Sequence, residues 1–100
     1  MEMHSSAQDR AQIAKRKAIL VRQISLKTKA LAKAPAGYLR ILSGRGKNQY
    51  YQVLPGNGKK GNPVYLSKKD MKLAGKLAQK AYDKKVLHAA ERELKAWNML

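Results

Sequence analysis

Ser67-Lys68-Lys69-Asp70 begins the stretch that decides the fold. Its S-x-x-D form is that of a capping box, in which a serine oxygen and a carboxylate three residues on satisfy backbone N–H groups orphaned at a helix start. Apolar residues then recur at three- and four-residue steps through Leu73, Leu77, Ala81, Val86/Leu87, Ala90, Leu94 and Trp97, with Ala74, Ala78 and Ala89 widening the stripe. The pattern predicts one helix from Ser67 to about Trp97, roughly 45 Å long at 1.5 Å per residue. Its opposite face carries Lys68, Lys69, Lys72, Lys76, Lys80 and Lys84, balanced only by Asp70 and Asp83.

So long a stripe needs a partner, and the upstream chain offers two. From about Ser6, with Asp9 again in S-x-x-D spacing, no Gly or Pro interrupts the sequence until Pro35. Ile13, Leu20, Ile24 and Leu31 then share one broad helix face, with Ala14, Ala18, Val21 and Thr28 at its edge. Arg10, Lys15, Arg16, Lys17, Arg22, Lys27, Lys29 and Lys33 surround it, so residues 1–34 read as a basic amphipathic helix with a frayed start that includes His4.

Ala34-Pro35-Ala36-Gly37 breaks that helix, and the period changes to two. Tyr38-Leu39-Arg40-Ile41-Leu42 reads as a strand, Ser43 to Asn48 as a turn, and Gln49-Tyr50-Tyr51-Gln52-Val53-Leu54 as the returning strand of a hairpin. A Gly-, Asn- and Pro-rich loop from Pro55 to Pro63 precedes a short third strand, Val64-Tyr65-Leu66. The fold class is therefore α+β: an N-terminal helix, a three-stranded antiparallel sheet and a long C-terminal helix, with residues 35–100 joining residues 1–34 in one unit. Leu39, Ile41, Tyr51, Val53, Val64 and Leu66 are expected to face the start of the last helix. The distal half of that helix is left to cover Leu94 and Trp97 with the first helix, as an antiparallel hairpin, or with a second copy of the chain.

Composition bounds the function. One hundred residues suit one small domain, and 22 Lys and Arg against 6 Asp and Glu give a net charge of +16 and a pI near 10.4. Such an excess implies a polyanionic partner, nucleic acid first. The sequence has no cysteine, which excludes disulfides and thiolate metal sites. Met1 to Ser6 has no leader pattern and no apolar run reaches 18 residues, so a cytoplasmic protein is expected. The first helix lacks Trp and Phe anchors, and no membrane partner is expected.

Enzymatic chemistry has little to stand on. Residues 35–66 contain no Asp, Glu, His or Cys, so carboxylates cannot cluster there around a hard cation. Asp70 is read as a cap, Glu91 as an ion-pair partner of Lys95 four residues on, and His88 as an ordinary helix-surface residue. Gly44-Arg45-Gly46-Lys47 lacks the Walker spacing and precedes a strand, so it reads as a hairpin turn. Neither catalysis nor a cofactor is expected.

The stronger constellation is the outward face of the sheet. Alternation is expected to point Tyr38, Arg40, Tyr50, Gln52 and Tyr65 away from the helix, with Arg45 and Lys47 on one loop and Lys59 and Lys60 on the other. Arg and Gln can read base edges, Lys contacts phosphates, and tyrosine rings can stack on unpaired bases. Tyrosines also pave sheets that bind nothing. The expected function is non-catalytic nucleic-acid binding, with double-stranded DNA favoured over RNA. The alternative is a helical interaction or dimerisation module attached to an effector through the distal part of the last helix.

Gly37-Tyr38-Leu39-Arg40-Ile41, Gln49-Tyr50-Tyr51 and Lys76-Leu77-Ala78-Gln79-Lys80-Ala81-Tyr82-Asp83-Lys84-Lys85-Val86-Leu87 resemble a group of uncharacterised bacterial proteins over about residues 35–95. There a segment of this kind is similar to an N-terminal module preceding a restriction-endonuclease-like domain. The resemblance implies an attachment to a nuclease, in stand-alone or truncated form. The chain ends at Leu100, before the region of that family's catalytic carboxylates, so no catalytic residue is carried over. More loosely, three antiparallel strands followed by a helix are similar to the arm-type DNA-binding domain of tyrosine integrases and a related plant transcription-factor domain. That architecture implies a sheet laid in the major groove, with contacts from Arg40, Tyr50, Gln52 and Tyr65.

Overall fold

A computed structural model describes residues 7–56 and 61–100 of the chain, with side chains from residue 9. Helix α1 spans Ala7–Lys33, strands β1, β2 and β3 span Tyr38–Gly44, Lys47–Leu54 and Asn62–Leu66, and helix α2 spans Met71–Asn98. The predicted cap on Ser6 lies outside the described residues. At the other helix start, Ser67 donates from its backbone N–H (3.0 Å) and its hydroxyl (3.1 Å) to Asp70 Oδ2. This closes the capping box around a single 3-10 turn, Lys68–Asp70, before α2 begins.

The strands form an antiparallel meander in the order β1-β2-β3. The first turn is shorter than the sequence suggests, with only Arg45 and Gly46 outside the strands, both at positive φ (49° and 75°). That is the condition of a type I′ hairpin turn, whose twist matches the strands it joins. Pro63 is tolerated because β3 is an edge strand, where a missing N–H costs little.

One side of the sheet packs on the first half of α2. Leu66, Ala74 and Leu77 form a buried cluster against which Leu39, Tyr50 and Leu73 pack. The connection from α1 is tied to the same helix by Lys80, whose Nζ donates to the carbonyls of Pro35 (2.8 Å) and Gly37 (2.7 Å). Lys80, expected on a solvated lysine face, is therefore part of the frame.

Along α2 from about Asp83 to Glu93 runs α1, antiparallel to it. The α1 residues turned inward are Ile13, Lys17, Leu20, Ile24, Lys27 and Leu31, at alternating steps of four and three as in a coiled-coil seam. Leu20 and Leu77 are the most deeply buried large side chains, each contributing about 1.5–3 kcal/mol. Leu94 and Trp97 are half-buried in the α2 part of this seam, as the antiparallel helix hairpin within one chain requires. The seam is not purely apolar. Arg16 donates through Nε and Nη2 to the two carboxylate oxygens of Glu93, both at 2.6 Å, and Trp97 Nε1 donates to Glu93 Oε2 at 2.9 Å. Lys27 Nζ (3.0 Å) and Gln79 Nε2 (2.9 Å) donate to the buried Asp83, and Lys27 lies 5.6 Å from the centroid of the Tyr82 ring. The pairing expected within α2, Glu91 with Lys95, does not form, whereas Glu93 and Asp83 pair across the helices with Arg16 and Lys27.

These bonds make stability depend on acid. Arg16, then Trp97, hold the Glu93 carboxyl down at about 2, and Lys27, then Gln79, hold Asp83 below its ordinary range. Both folded-state values lie below the unfolded ones. Their stabilisation is therefore complete above the ordinary carboxylate range, about pH 4, and is lost as pH falls from there toward 2. The urea midpoint is expected to fall steadily over that interval. Glu93→Gln is expected to lower the midpoint at neutral pH and to flatten its decline in acid; a slope equal to wild type would remove Glu93 from the account. No helix among the described residues is long and apolar enough to cross a membrane.

Candidate nucleic-acid interface

The two-residue turn decides which side chains the free sheet face presents. It pairs Gly44 with Lys47, so each even-numbered residue of β1 lies across from an odd-numbered residue of β2. Tyr50 therefore lies opposite Ile41 and Leu66, and Gln52 opposite Leu39 and Val64. Cross-strand partners share a face, so Tyr50 and Gln52 point toward α2 and not, as alternation alone suggests, away from it. Tyr50 packs on the Leu66 cluster, and Gln52 Nε2 donates to the Ala36 carbonyl at 2.9 Å. A one-residue shift in register exchanges every side chain between faces. Tyr51 and Val53, expected inside, consequently lie on the outward face.

That face carries Tyr38, Arg40 and Leu42 from β1, Lys47, Gln49, Tyr51 and Val53 from β2, and Tyr65 from β3. Tyr38, Arg40 and Tyr65 stand where the sequence predicts; Gln49 and Tyr51 are the residues it missed. Arg40, Tyr51 and Tyr65 are direct cross-strand neighbours and make a row across the sheet. The Tyr51 and Tyr65 rings meet edge to face, with centroids 5.6 Å apart at 67°, and the Tyr51 hydroxyl donates to Gln49 Oε1 at 3.3 Å. Tyr51 is thus held as a fixed wall in the middle of the face. Tyr38 and Tyr65 remain more than half exposed, while Val53 is covered near Gly61, where an added Cβ would come within 2.5 Å of Val53 Cγ1.

The charge on this face is unopposed. The side chains of Arg40, Arg45 and Lys47 are exposed and make no ion pair or hydrogen bond among the described residues. Between Arg10 and Lys69 the sequence has no Asp or Glu at all. Arg45 and Lys47 edge a shallow open hollow of about 390 Å³ at the hairpin tip, together with Leu42, Ser43, Gly44 and Gln49. Lys59 and Lys60 lie outside the described residues. Three of the acids further along, Asp70, Asp83 and Glu93, are engaged in the helix cap and the seam. Among the described residues no three His, Asp or Glu side chains come together as a metal centre requires. Compared with models of protein families, with curated proteins and with solved structures, the chain matches none.

Proposed function

We propose that the chain is a non-catalytic nucleic-acid-binding domain that lays the outward face of its sheet in the major groove of double-stranded DNA. The observation that carries this reading is the row Arg40–Tyr51–Tyr65, flanked by Tyr38 and Lys47, on a face with no carboxylate and no helix packed over it. Three strands spaced about 4.8 Å apart are about 10 Å wide, close to the roughly 12 Å width of the B-form major groove. The major groove of A-form RNA is too deep and narrow for side chains to read, which favours DNA. In this reading Arg40 reaches base edges, the tyrosines pack against sugars and bases, and Arg45, Lys47 and the exposed lysines of the helices meet phosphates. The lack of acids makes the approach uniformly attractive.

The test is an anisotropy titration of a labelled 20-base-pair duplex, compared with single-stranded DNA and RNA of the same sequence. The duplex is expected to bind most tightly. Arg40→Ala is expected to weaken it about tenfold or more, whereas Lys95→Ala, in the last turn of α2 and far along the chain from the sheet, changes it by less than about twofold. Single strands bound as tightly as the duplex, or an Arg40→Ala variant equal to wild type, would overturn the groove reading. A protein-interaction module draws instead on Ile19 and Leu26, half-exposed two turns apart on α1. It predicts no affinity for DNA.

A further inference from the structure

The polar groups of the outward face are unusually one-sided. Arg40 offers five N–H donors and no acceptor, and none of them is engaged. Lys47 and Arg45 at the hairpin end also carry donors only. Gln49 is the partial exception: its amide oxygen accepts from the Tyr51 hydroxyl and keeps one lone pair, while both N–H donors of its NH₂ are unengaged. Gln52, the other amide on β2, is on the opposite face and its NH₂ is engaged with Ala36. Apart from the hydroxyls of Tyr38, Tyr51 and Tyr65, which can still accept, and the second lone pair of Gln49 Oε1, the side chains present donors only.

Base pairs differ in how they answer such a surface. In the major groove guanine shows two adjacent acceptors, N7 and O6, whereas adenine sets an N6 donor beside N7 and cytosine shows an N4 donor. Donors facing donors leave both sides unpaired in a site from which water has been removed, and that costs more than an absent contact. The Arg40 fork matches guanine O6 and N7. Tyr38 and Leu42, on either side of it along β1, supply apolar cover that strengthens the contact.

We infer that the sheet is a guanine reader, with Arg40 bidentate on O6 and N7 in the major groove; this rests on the DNA-binding reading above. The test uses a labelled 20-base-pair duplex of mixed sequence in three forms: unmodified, with guanine replaced by 7-deazaguanine, and with guanine replaced by inosine. The first replacement removes the N7 acceptor in the major groove, and the second removes only the minor-groove amino group. Wild type is expected to bind the 7-deazaguanine duplex about fivefold more weakly and the inosine duplex equally well. Arg40→Gln replaces a donor fork by one donor and one acceptor at an exposed position that holds no other residue. This variant is expected to lose the 7-deazaguanine effect and to prefer adenine-rich over guanine-rich duplexes, with its thermal melt unchanged. Equal binding of the unmodified and 7-deazaguanine duplexes, or a loss of the same size with inosine, would overturn the inference and leave DNA binding intact. No binding to any duplex would overturn both.

Discussion

Gly37→Ala is expected to lower the melting temperature by about 15 °C or to abolish the cooperative transition. Two causes act at the same atom. Gly37 has φ of +81°, a conformation that costs an L-residue about 1–2 kcal/mol. A Cβ built there would stand 2.2 Å from the Val53 carbonyl oxygen and 2.9 Å from its carbon. Those are backbone atoms of the central strand, and no rotamer change moves them aside. The chain must shift at the first pair of the β1–β2 ladder, Tyr38 with Val53, and the Gly37 carbonyl that accepts from Lys80 must shift with it. Together these costs reach at least about 3 kcal/mol, a large share of the stability of a small domain. Gly46→Ala is the internal comparison. Gly46 also has positive φ, 75°, but nothing lies within 4 Å of its would-be Cβ, so only conformational strain remains, about 1 kcal/mol and about 5 °C. Thermal melts followed by circular dichroism separate the two. Equal shifts for both variants would mean that the close approach at Val53 relaxes freely.

The same turn explains what could and could not be read in the sequence. Ser67 and Asp70 announce the helix start, and the Asp70 carboxylate takes the Ser67 backbone N–H as the motif requires while the Ser67 hydroxyl donates to the same oxygen, because a cap is a local matter settled within four residues. The facing of β2 is different. Gln49-Tyr50-Tyr51-Gln52 reads almost the same in either phase, and burying Tyr51 with Val53 is the choice hydrophobicity alone favours. What decides is the number of residues outside the ladder at Arg45-Gly46, a count that alternation within a strand does not carry. The short string Gly44-Arg45-Gly46-Lys47 held the signal, since a two-residue loop reverses parity across the hairpin. The polar residue this turns inward, Gln52, is accommodated because the Ala36 carbonyl lies within reach of its amide.

Lysine was misread for a related reason. Lys17, Lys27 and Lys80 look like members of a solvated face, yet all three are partly buried, with Lys27 paired to Asp83 and Lys80 to two carbonyls. A lysine stem can cover apolar surface while its ammonium reaches a partner that sequence spacing does not disclose, here 56 residues from Lys27 and 45 and 43 residues from Lys80. The candidate site was legible where it depended on a single strand, at Tyr38, Arg40 and Tyr65, and illegible where it depended on how two strands meet. The cations that remain free are consequently fewer than the composition suggests, and their number can be measured.

Affinity for duplex DNA is expected to fall about 10³-fold between 50 and 200 mM salt, with log K declining against log salt at a slope of about −5. Each neutralised phosphate releases a condensed counterion, and B-form DNA contributes about −0.9 per phosphate, so this slope corresponds to about six contacts. The molecule can supply them. Its longest extent is 59 Å, and its radius of gyration of 19.6 Å far exceeds the value near 13 Å of a compact 100-residue domain. At 3.4 Å per base pair that length covers about 17 pairs. Besides Arg40, which is assigned to base edges, the exposed, unpaired cations include Arg45 and Lys47 on the hairpin, Lys68 and Lys69 in the turn before α2, and Lys72 and Lys76 on α2. Lys27, Lys80 and Arg16 are engaged within the fold and are not counted. Arg45→Ala and Lys47→Ala are each expected to make the slope shallower by about one, with the same proportional loss on every sequence, because a phosphate contact carries no base information. A slope near −2 that vanishes in the double variant would confine contact to the hairpin tip and leave the helices clear of the duplex. A slope near −5 that neither variant changes would place the phosphate contacts on the helices and remove the hairpin from the interface. The two results assign the polyanion to opposite ends of the same elongated molecule, and either is visible in one salt series.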